Sequence, residues 1–400
     1  MYSNKALRYG MFGLLYFTQG TVLSYFTALN ALYLLERGLQ MTDIGIFAAI
    51  ALIPFVIKIF FGMLSDRVNL LGLGHRKPYI LLGLFLQAIC LVIVPFIDPA
   101  AFYWGFVALA FVLQTGMALY DTCTDGLALD TTPEAEQGTI QGFMVGGRAL
   151  AVVATASAVG LLAQNVSWTA VFWLLAGLTL LPVPLVLGVR ETVRPVERSF
   201  NWRAFGAFKQ GSVIALAGVG FIFFLIIAGA NQIVNPFLED AFSIDLSQAG
   251  FFTTIWGVGV VLGGLFGGWL MTRIGRRNGT LISLGLSLLG VGLLAAIGSP
   301  IAAFPLVAAF GLAYGTYQTV YFALAMHYTD PRIAASMFSI LMAVTNIGQG
   351  VGMALSGILV DQMNFRLTFL ILAGINLLAL PLLPLVFRAR RQAAPAPAGH

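Results

Sequence analysis

The sequence predicts an all-α membrane protein, a bundle of twelve transmembrane helices in two six-helix halves. Three observations carry this. Of 400 residues, 59% are hydrophobic and only 9% charged, whereas soluble chains carry roughly a quarter charged residues; the mean hydropathy is +0.91. The apolar residues fall in continuous runs of the roughly 20 residues a helix needs to cross about 30 Å of hydrocarbon, not in the alternating segments of about ten residues found in membrane barrels. Finally, one short charged stretch recurs at the same place in each half.

In chain order the runs lie near 10–34, 43–64, 78–97, 102–130, 138–163 and 168–189, then 212–238, 247–271, 279–298, 301–328, 334–361 and 366–388. The first contains Gln19, Thr21 and Asn30 and no clear small-residue cleavage site, so it reads as a retained helix rather than a signal peptide. The longest polar connection, 190–211, divides the runs six and six. The expected organisation is therefore a half over 1–189, a linker over 190–211, a half over 212–388 and a disordered tail over 389–400. The 45 glycines sit within apolar runs and suit close helix packing. Cys90 and Cys123 also lie in apolar runs, as small buried hydrophobes rather than a disulfide or metal site.

Charge placement sets the orientation. Of the 21 Lys and Arg residues, 17 fall on the side of the two termini and the linker, Arg37 and Arg366 fall opposite, and Lys58 and Arg148 lie within helices. The positive-inside rule then places both termini in the cytoplasm. The net charge of +5 is thus topological and does not point to nucleic acid.

The repeat is Gly62-Met63-Leu64-Ser65-Asp66-Arg67, with Arg76-Lys77 after it, and Gly268-Trp269-Leu270-Met271-Thr272-Arg273-Ile274-Gly275-Arg276-Arg277. These copies resemble the loop signature of the major facilitator superfamily, whose members are built from such six-helix repeats. The first copy departs by an insertion over 68–74, the second by Thr272 at the acidic position. The resemblance covers nearly the whole chain. It implies the major facilitator fold, a monomer, alternating access, and a cytoplasmic gate drawn from Gly62, Asp66, Arg67, Asp130, Gly268 and Arg273. Glu36-Arg37-Gly38-Leu39, Lys58 after Pro54, and Asp121-Thr122-Cys123-Thr124-Asp125-Gly126 resemble the AmpG-type muropeptide permeases, whose related groups carry acetyl-CoA, folates or biopterin, and siderophores. Arg76, Lys77, Arg276 and Arg277 are read as ordinary topology charges.

Ionisable groups inside a bilayer are costly and mark function. Asp121 and Asp125, four apart, share one helical face, with Gln114 near the same stripe. At about 1.5 Å per residue, Asp121 stands about 15 Å and Arg148 about 16 Å from the cytoplasmic ends of their helices, while Lys58 and Asp125 stand at about 10 Å and 9 Å. Depth therefore pairs Asp121 with Arg148 and Asp125 with Lys58. A carboxylate whose surroundings alternate between burial and a cation can load and release a proton; the alternative is a set of static ion pairs.

The second half offers neutral groups instead: Asn231, Asn235, Trp256 and Asn346, and the stripe Tyr314, Tyr317, Gln318 and Tyr321 at i, i+3, i+4 and i+7. With Gln19 and Gln114 they form the candidate solute cavity. An aromatic stripe is more often packing, but hydroxyls and an amide here suit an amphipathic solute.

Enzyme signals are absent. Gly257-Val258-Gly259 has no preceding strand, no phosphate loop exists, and 22 linker residues cannot hold an ATPase. No metal or cofactor is expected. The sequence thus predicts a proton-coupled secondary transporter of a small organic solute, in the lipid bilayer of a bacterial cytoplasmic (inner) membrane. The alternative is a transporter-like factor assisting assembly of other membrane complexes, through lipid or pigment handling without solute flux.

Overall fold

In the computed structural model, described over residues 5–72, 74–131, 134–189, 191, 206, 209–328 and 334–388, the described residues are almost wholly helical and contain no strand. Most of the 190–211 connection and all of the 389–400 tail lie outside the described residues.

The first crossing consists of α1 (Lys5–Ala28) and α2 (Asn30–Glu36), the second of α3 (Met41–Val56) and α4 (Lys58–Arg67). Next come α5 (Lys77–Ile93), α6 (Tyr103–Thr131), α7 (Glu134–Asn165) and the sixth crossing, α8 (Trp168–Leu180) with α9 (Val183–Leu187). The second set is α10 (Gly211–Phe242), α11 (Leu246–Trp269) with a π-helical turn over Leu270–Ile274, α12 (Arg276–Leu294), α13 (Pro300–Tyr328), α14 (Ala334–Gln362), and α15 (Phe365–Ile375) with α16 (Leu383–Arg388). Among the described residues, eleven crossings are long and apolar enough to span a membrane. The first is more polar, carrying Thr18, Gln19, Thr21, Ser24 and Asn30, all buried, as befits a helix surrounded by protein rather than lipid.

Four crossings expected to be continuous, the first, second, sixth and twelfth, are broken. The first is interrupted at Leu29, the second at Ile57, three residues after Pro54. Proline has no N–H to donate back along the helix, which weakens the ladder there. Elsewhere local sequence sets the ends. Ser167 caps α8 through Ala170 N, Asn364 caps α15 through Leu367 N, and Asp245 and Gln248 form a reciprocal capping box at α11.

Helix packing repeats between the halves. The first crossing lies on the fifth as the seventh lies on the eleventh, and the third on the fourth and sixth as the ninth on the tenth and twelfth. The halves meet along α3 with α14 and α7 with α11. Glycines permit this approach: a methyl group at Gly45 would lie 2.5 Å from the Met353 carbonyl oxygen, and one at Gly250 would lie 2.4 Å from that of Ala156.

At the end far from the termini, paired polar contacts reinforce these two seams. Asp361 accepts from Met41 N (3.2 Å) and Thr42 N (2.6 Å) at the start of α3, and Gln164 Oε1 accepts from Leu246 N (3.2 Å) at the start of α11. Each side chain satisfies amides that a helix N-terminus leaves open. The far end of the bundle is therefore sealed on both seams by related devices.

Candidate functional site

The charged groups gather on the inner face of the first half, around the middle of the bundle. Asp121 is buried. Its Oδ2 receives Lys58 Nζ at 3.2 Å and its Oδ1 receives Gln19 Nε2 at 2.7 Å. Asp125, one turn further along α6, accepts a hydrogen bond from the Tyr16 hydroxyl. Tyr16 and Gln19 are three apart and share a face of α1. Lys58 is the first residue after the break at Ile57, and its side chain stays 31% exposed while that of Asp121 is 7% exposed.

This pairing differs from the one that depth alone suggests. Lys58 bonds Asp121, not Asp125, and Arg148 bonds neither carboxylate. The cause is lateral. α1 packs closely along α7 and also touches α6, whereas α6 and α7 touch only slightly. The α1 side chains Tyr16 and Gln19 therefore stand where Arg148 was expected. A methyl group at Gly20 would lie 2.4 Å from the Arg148 carbonyl oxygen, which shows how tightly the two backbones are pressed together. The Arg148 side chain is exposed, on the face of α7 that also carries the buried Met144, Ala151, Val152 and Thr155.

The neutral groups divide into two kinds. Tyr314 is half-buried and meets the Trp256 ring edge-on at 5.1 Å. Trp256 Nε1 and Gln114 Oε1 are buried with no hydrogen-bond partner. Gln318 is half-buried, and Asn231 lines a small gap with Thr27, Asn235 and Trp256. Tyr317 and Tyr321 instead belong to the packing of the second half. Tyr317 stacks on Phe223 and donates to Asn376 Oδ1 at 2.7 Å, and Tyr321 fills the space left by Gly220. The i, i+3, i+4, i+7 stripe spans a wide arc, and α10 covers one side of it.

Asn235 and Asn346 reach across to the first half. Asn235 Nδ2 donates to the Ala28 carbonyl (2.7 Å), and Asn346 Nδ2 donates to that of Phe55 (2.9 Å). Both acceptors lie just before the breaks at Leu29 and Ile57.

The loop at the near end is organised by a residue the sequence left among the topology charges. The buried Arg76 guanidinium bonds Ser65 Oγ and Asp66 Oδ1, and its Nε lies 3.4 Å from Asp130 Oδ2. Arg67, expected in that gate, is exposed. Glu191 accepts from the backbone amides of His75 (2.7 Å), Arg76 (2.9 Å) and Lys77, capping the start of α5. Gly62 faces Thr122, whereas Gly268 has open space beside it; Arg273 is exposed, and the Thr272 hydroxyl turns back onto its own helix. The second copy therefore lacks the first copy's charge cluster among the described residues.

Two repeated six-helix sets and ionisable groups gathered on the inner face of the first half define a membrane transporter of alternating-access type. The chain belongs to the Major Facilitator Superfamily, whose family model matches residues 12–233 and 216–400. It is an integral membrane transporter rather than an enzyme. "Putative transporter AmpG 1" of Rickettsia conorii is 22% identical over 379 residues, covering 84% of this chain and 88% of that protein. "Sialic acid transporter NanX" of Escherichia coli is 22% identical over 265 residues, covering 63% of this chain and 62% of that protein. Among solved structures, a bacterial homologue of the human lysosomal transporter Spinster, inward-facing and occupied, matches with a TM-score of 0.79 at 17% identity, covering all of both chains. The nucleoside transporter NupG matches with a TM-score of 0.73 at 16% identity, covering 95% of this chain and 98% of that one.

Proposed function

We propose that the protein is a proton-coupled secondary transporter of a bacterial cytoplasmic membrane, acting as a monomer with both termini cytoplasmic. In that orientation the sealed far end is the outer side. One observation carries the coupling: the carboxylates Asp121 and Asp125 lie one turn apart on α6 and have unequal partners, the lysine Lys58 on the first and the neutral phenol of Tyr16 on the second. Asp125 is the natural proton carrier, because its direct hydrogen-bond partner is the neutral Tyr16 phenol and no cation among the described residues bonds it. Lys58 stands on a helix break whose neighbouring carbonyl is held by Asn346 of the opposite half, so parting the halves disturbs the lysine that balances Asp121. Proton binding and movement of the halves are thereby linked.

The test uses purified protein in liposomes with a trapped pH dye. Cell-wall fragments, coenzyme A thioesters, folates, siderophores, sugars, nucleosides and sialic acid are offered outside. A solute that moves protons with the wild type, and not with Asp125→Asn or Asp121→Asn, supports the reading. A variant of both carboxylates that keeps full pH-dependent uptake removes these two residues from the coupling. Folded protein that carries nothing from the panel turns attention to an assembly role.

A further inference from the structure

The four charges on the inner face of the first half sum to zero when all are ionised: Lys58 and Arg148 against Asp121 and Asp125. Their bonds are unequally shared. Asp121 has Lys58 and Gln19, Asp125 has Tyr16, and Arg148 makes no side-chain hydrogen bond or ion pair among the described residues. Its side chain is exposed, whereas Met144, Ala151, Val152 and Thr155, which share its face of α7, are all buried. α7 packs against α1 of its own half and α11 of the other, so this inward face, and the exposed guanidinium on it, turns toward the cleft between the halves. A guanidinium on the lipid face would be costly.

We propose that the transported solute is an organic monoanion and that Arg148 receives its carboxylate. A guanidinium presents a planar fork of donors that matches a carboxylate with two parallel bonds, and here the fork is vacant. This rests on the proton-coupled reading above and adds the charge of the cargo. When Asp125 takes a proton the set carries one net positive charge, and one carboxylate restores neutrality. Loading only one of the two leaves an uncompensated charge in a desolvated site, which is strongly unfavourable. A dianionic phosphate monoester would leave an excess negative charge. Proton and carboxylate are thus loaded together, one for one, and Tyr314 with the edge-on Trp256 forms the opposite wall against the uncharged body of the solute.

The test works on an unidentified cargo. A bacterial small-molecule extract is split on an anion-exchange resin, and each fraction is offered to proteoliposomes whose contents are read by mass spectrometry. Protein-dependent uptake is expected from the retained fraction, as carboxylates. It should fall about tenfold or more in Arg148→Gln, as for loss of a charge-assisted pair, and recover in part in Arg148→Lys. Uptake should follow an imposed pH gradient and ignore a potassium diffusion potential. Thermal unfolding of each variant checks its fold; if Arg148→Gln fails that check, a raised KM in Arg148→Lys is the deciding result. Uptake confined to the unretained fraction, uptake of phosphates lacking a carboxylate, or equal affinity in the Arg148 variants overturns the assignment while leaving transport standing. No uptake from either fraction overturns the transport reading and this assignment with it.

Discussion

The side-chain amide of Asn346 donates to the backbone carbonyl of Phe55 at 2.9 Å, tying the eleventh crossing to the second across the two halves. Two residues later the helix breaks at Ile57, and it restarts at Lys58, the partner of Asp121. Asn235 does the same for Ala28 beside the break at Leu29. Two asparagines of the second half therefore hold carbonyls at two breaks of the first. Each bond exists only while the halves are together at that level.

Asn346→Ala should accordingly favour separation. It leaves the Phe55 carbonyl without its amide in the closed arrangement and costs the parted one nothing. At roughly 1–3 kcal/mol for an unsatisfied buried group, the population ratio should move by about tenfold or more. Spin labels at the exposed positions Gln40 and Met363 read the distance between the far ends of α3 and α14. A distribution unchanged from the wild type would show that the amide does not bias the equilibrium.

Asp361 predicts a weaker seal when removed. Its carboxylate receives Met41 N and Thr42 N at the positive end of α3, a placement worth about 0.3–1 kcal/mol at an exposed helix end and more when partly buried. Asp361→Ala should raise labelling of a Thr27→Cys variant by a maleimide added from the far side, with Cys90 and Cys123 replaced. Asp361→Asn, which keeps an acceptor and loses the charge, should fall between. Equal labelling rates in all three would assign the seal to backbone packing alone.

The fold was legible in the sequence because membrane constraints are strong: apolar runs and the positive-inside bias depend on composition, which one sequence shows. The charge set was legible for the same reason, since Lys58, Asp121, Asp125 and Arg148 stand out in apolar surroundings. Their pairing was not. Depth along a helix follows from residue number, but the lateral order of helices does not, and α1 placed Tyr16 and Gln19 between α6 and α7. Tyr16 carried one signal, its spacing of three from Gln19. The roles of Arg76 and Glu191 were hidden by the insertion over 68–74, which shifts the arginine of the loop motif away from Asp66 in sequence but not in space.

Glycine contacts give a prediction with a built-in control. A methyl group at Gly147 would lie 2.2 Å from the Gly13 carbonyl oxygen, and one at Gly20 would lie 2.4 Å from that of Arg148, whereas Gly146 has nothing within 4 Å. Gly147→Ala and Gly20→Ala should each lose about 1–3 kcal/mol through overpacking, read as a lower unfolding temperature in detergent. Gly146→Ala should be neutral or slightly stabilising through its helix propensity. Equal behaviour of Gly146 and Gly147 would mean that α1 and α7 do not pack this closely.

The near-end loop makes the last prediction. Arg76 is buried, and its guanidinium reaches Ser65, Asp66 and Asp130, bringing the second and fourth crossings together at the start of the third. A methyl group at Gly126 would lie 2.5 Å from the guanidinium carbon, so the pocket is shaped to its plane. Truncating one member of a buried ion pair strands the others and costs about 3–5 kcal/mol. Arg76→Ala should therefore lower stability far more than Arg67→Ala, although both are arginines of the same loop. Arg76→Lys should rescue little, because a single ammonium cannot serve acceptors on separate helices at once. Gly126→Ala, which leaves every charge in place, should reproduce much of the Arg76→Ala loss by displacing the guanidinium. Unfolding temperatures and expression of the four variants decide the matter. If Arg67→Ala proves as damaging as Arg76→Ala, the gate is built as the sequence motif suggested rather than around the buried arginine.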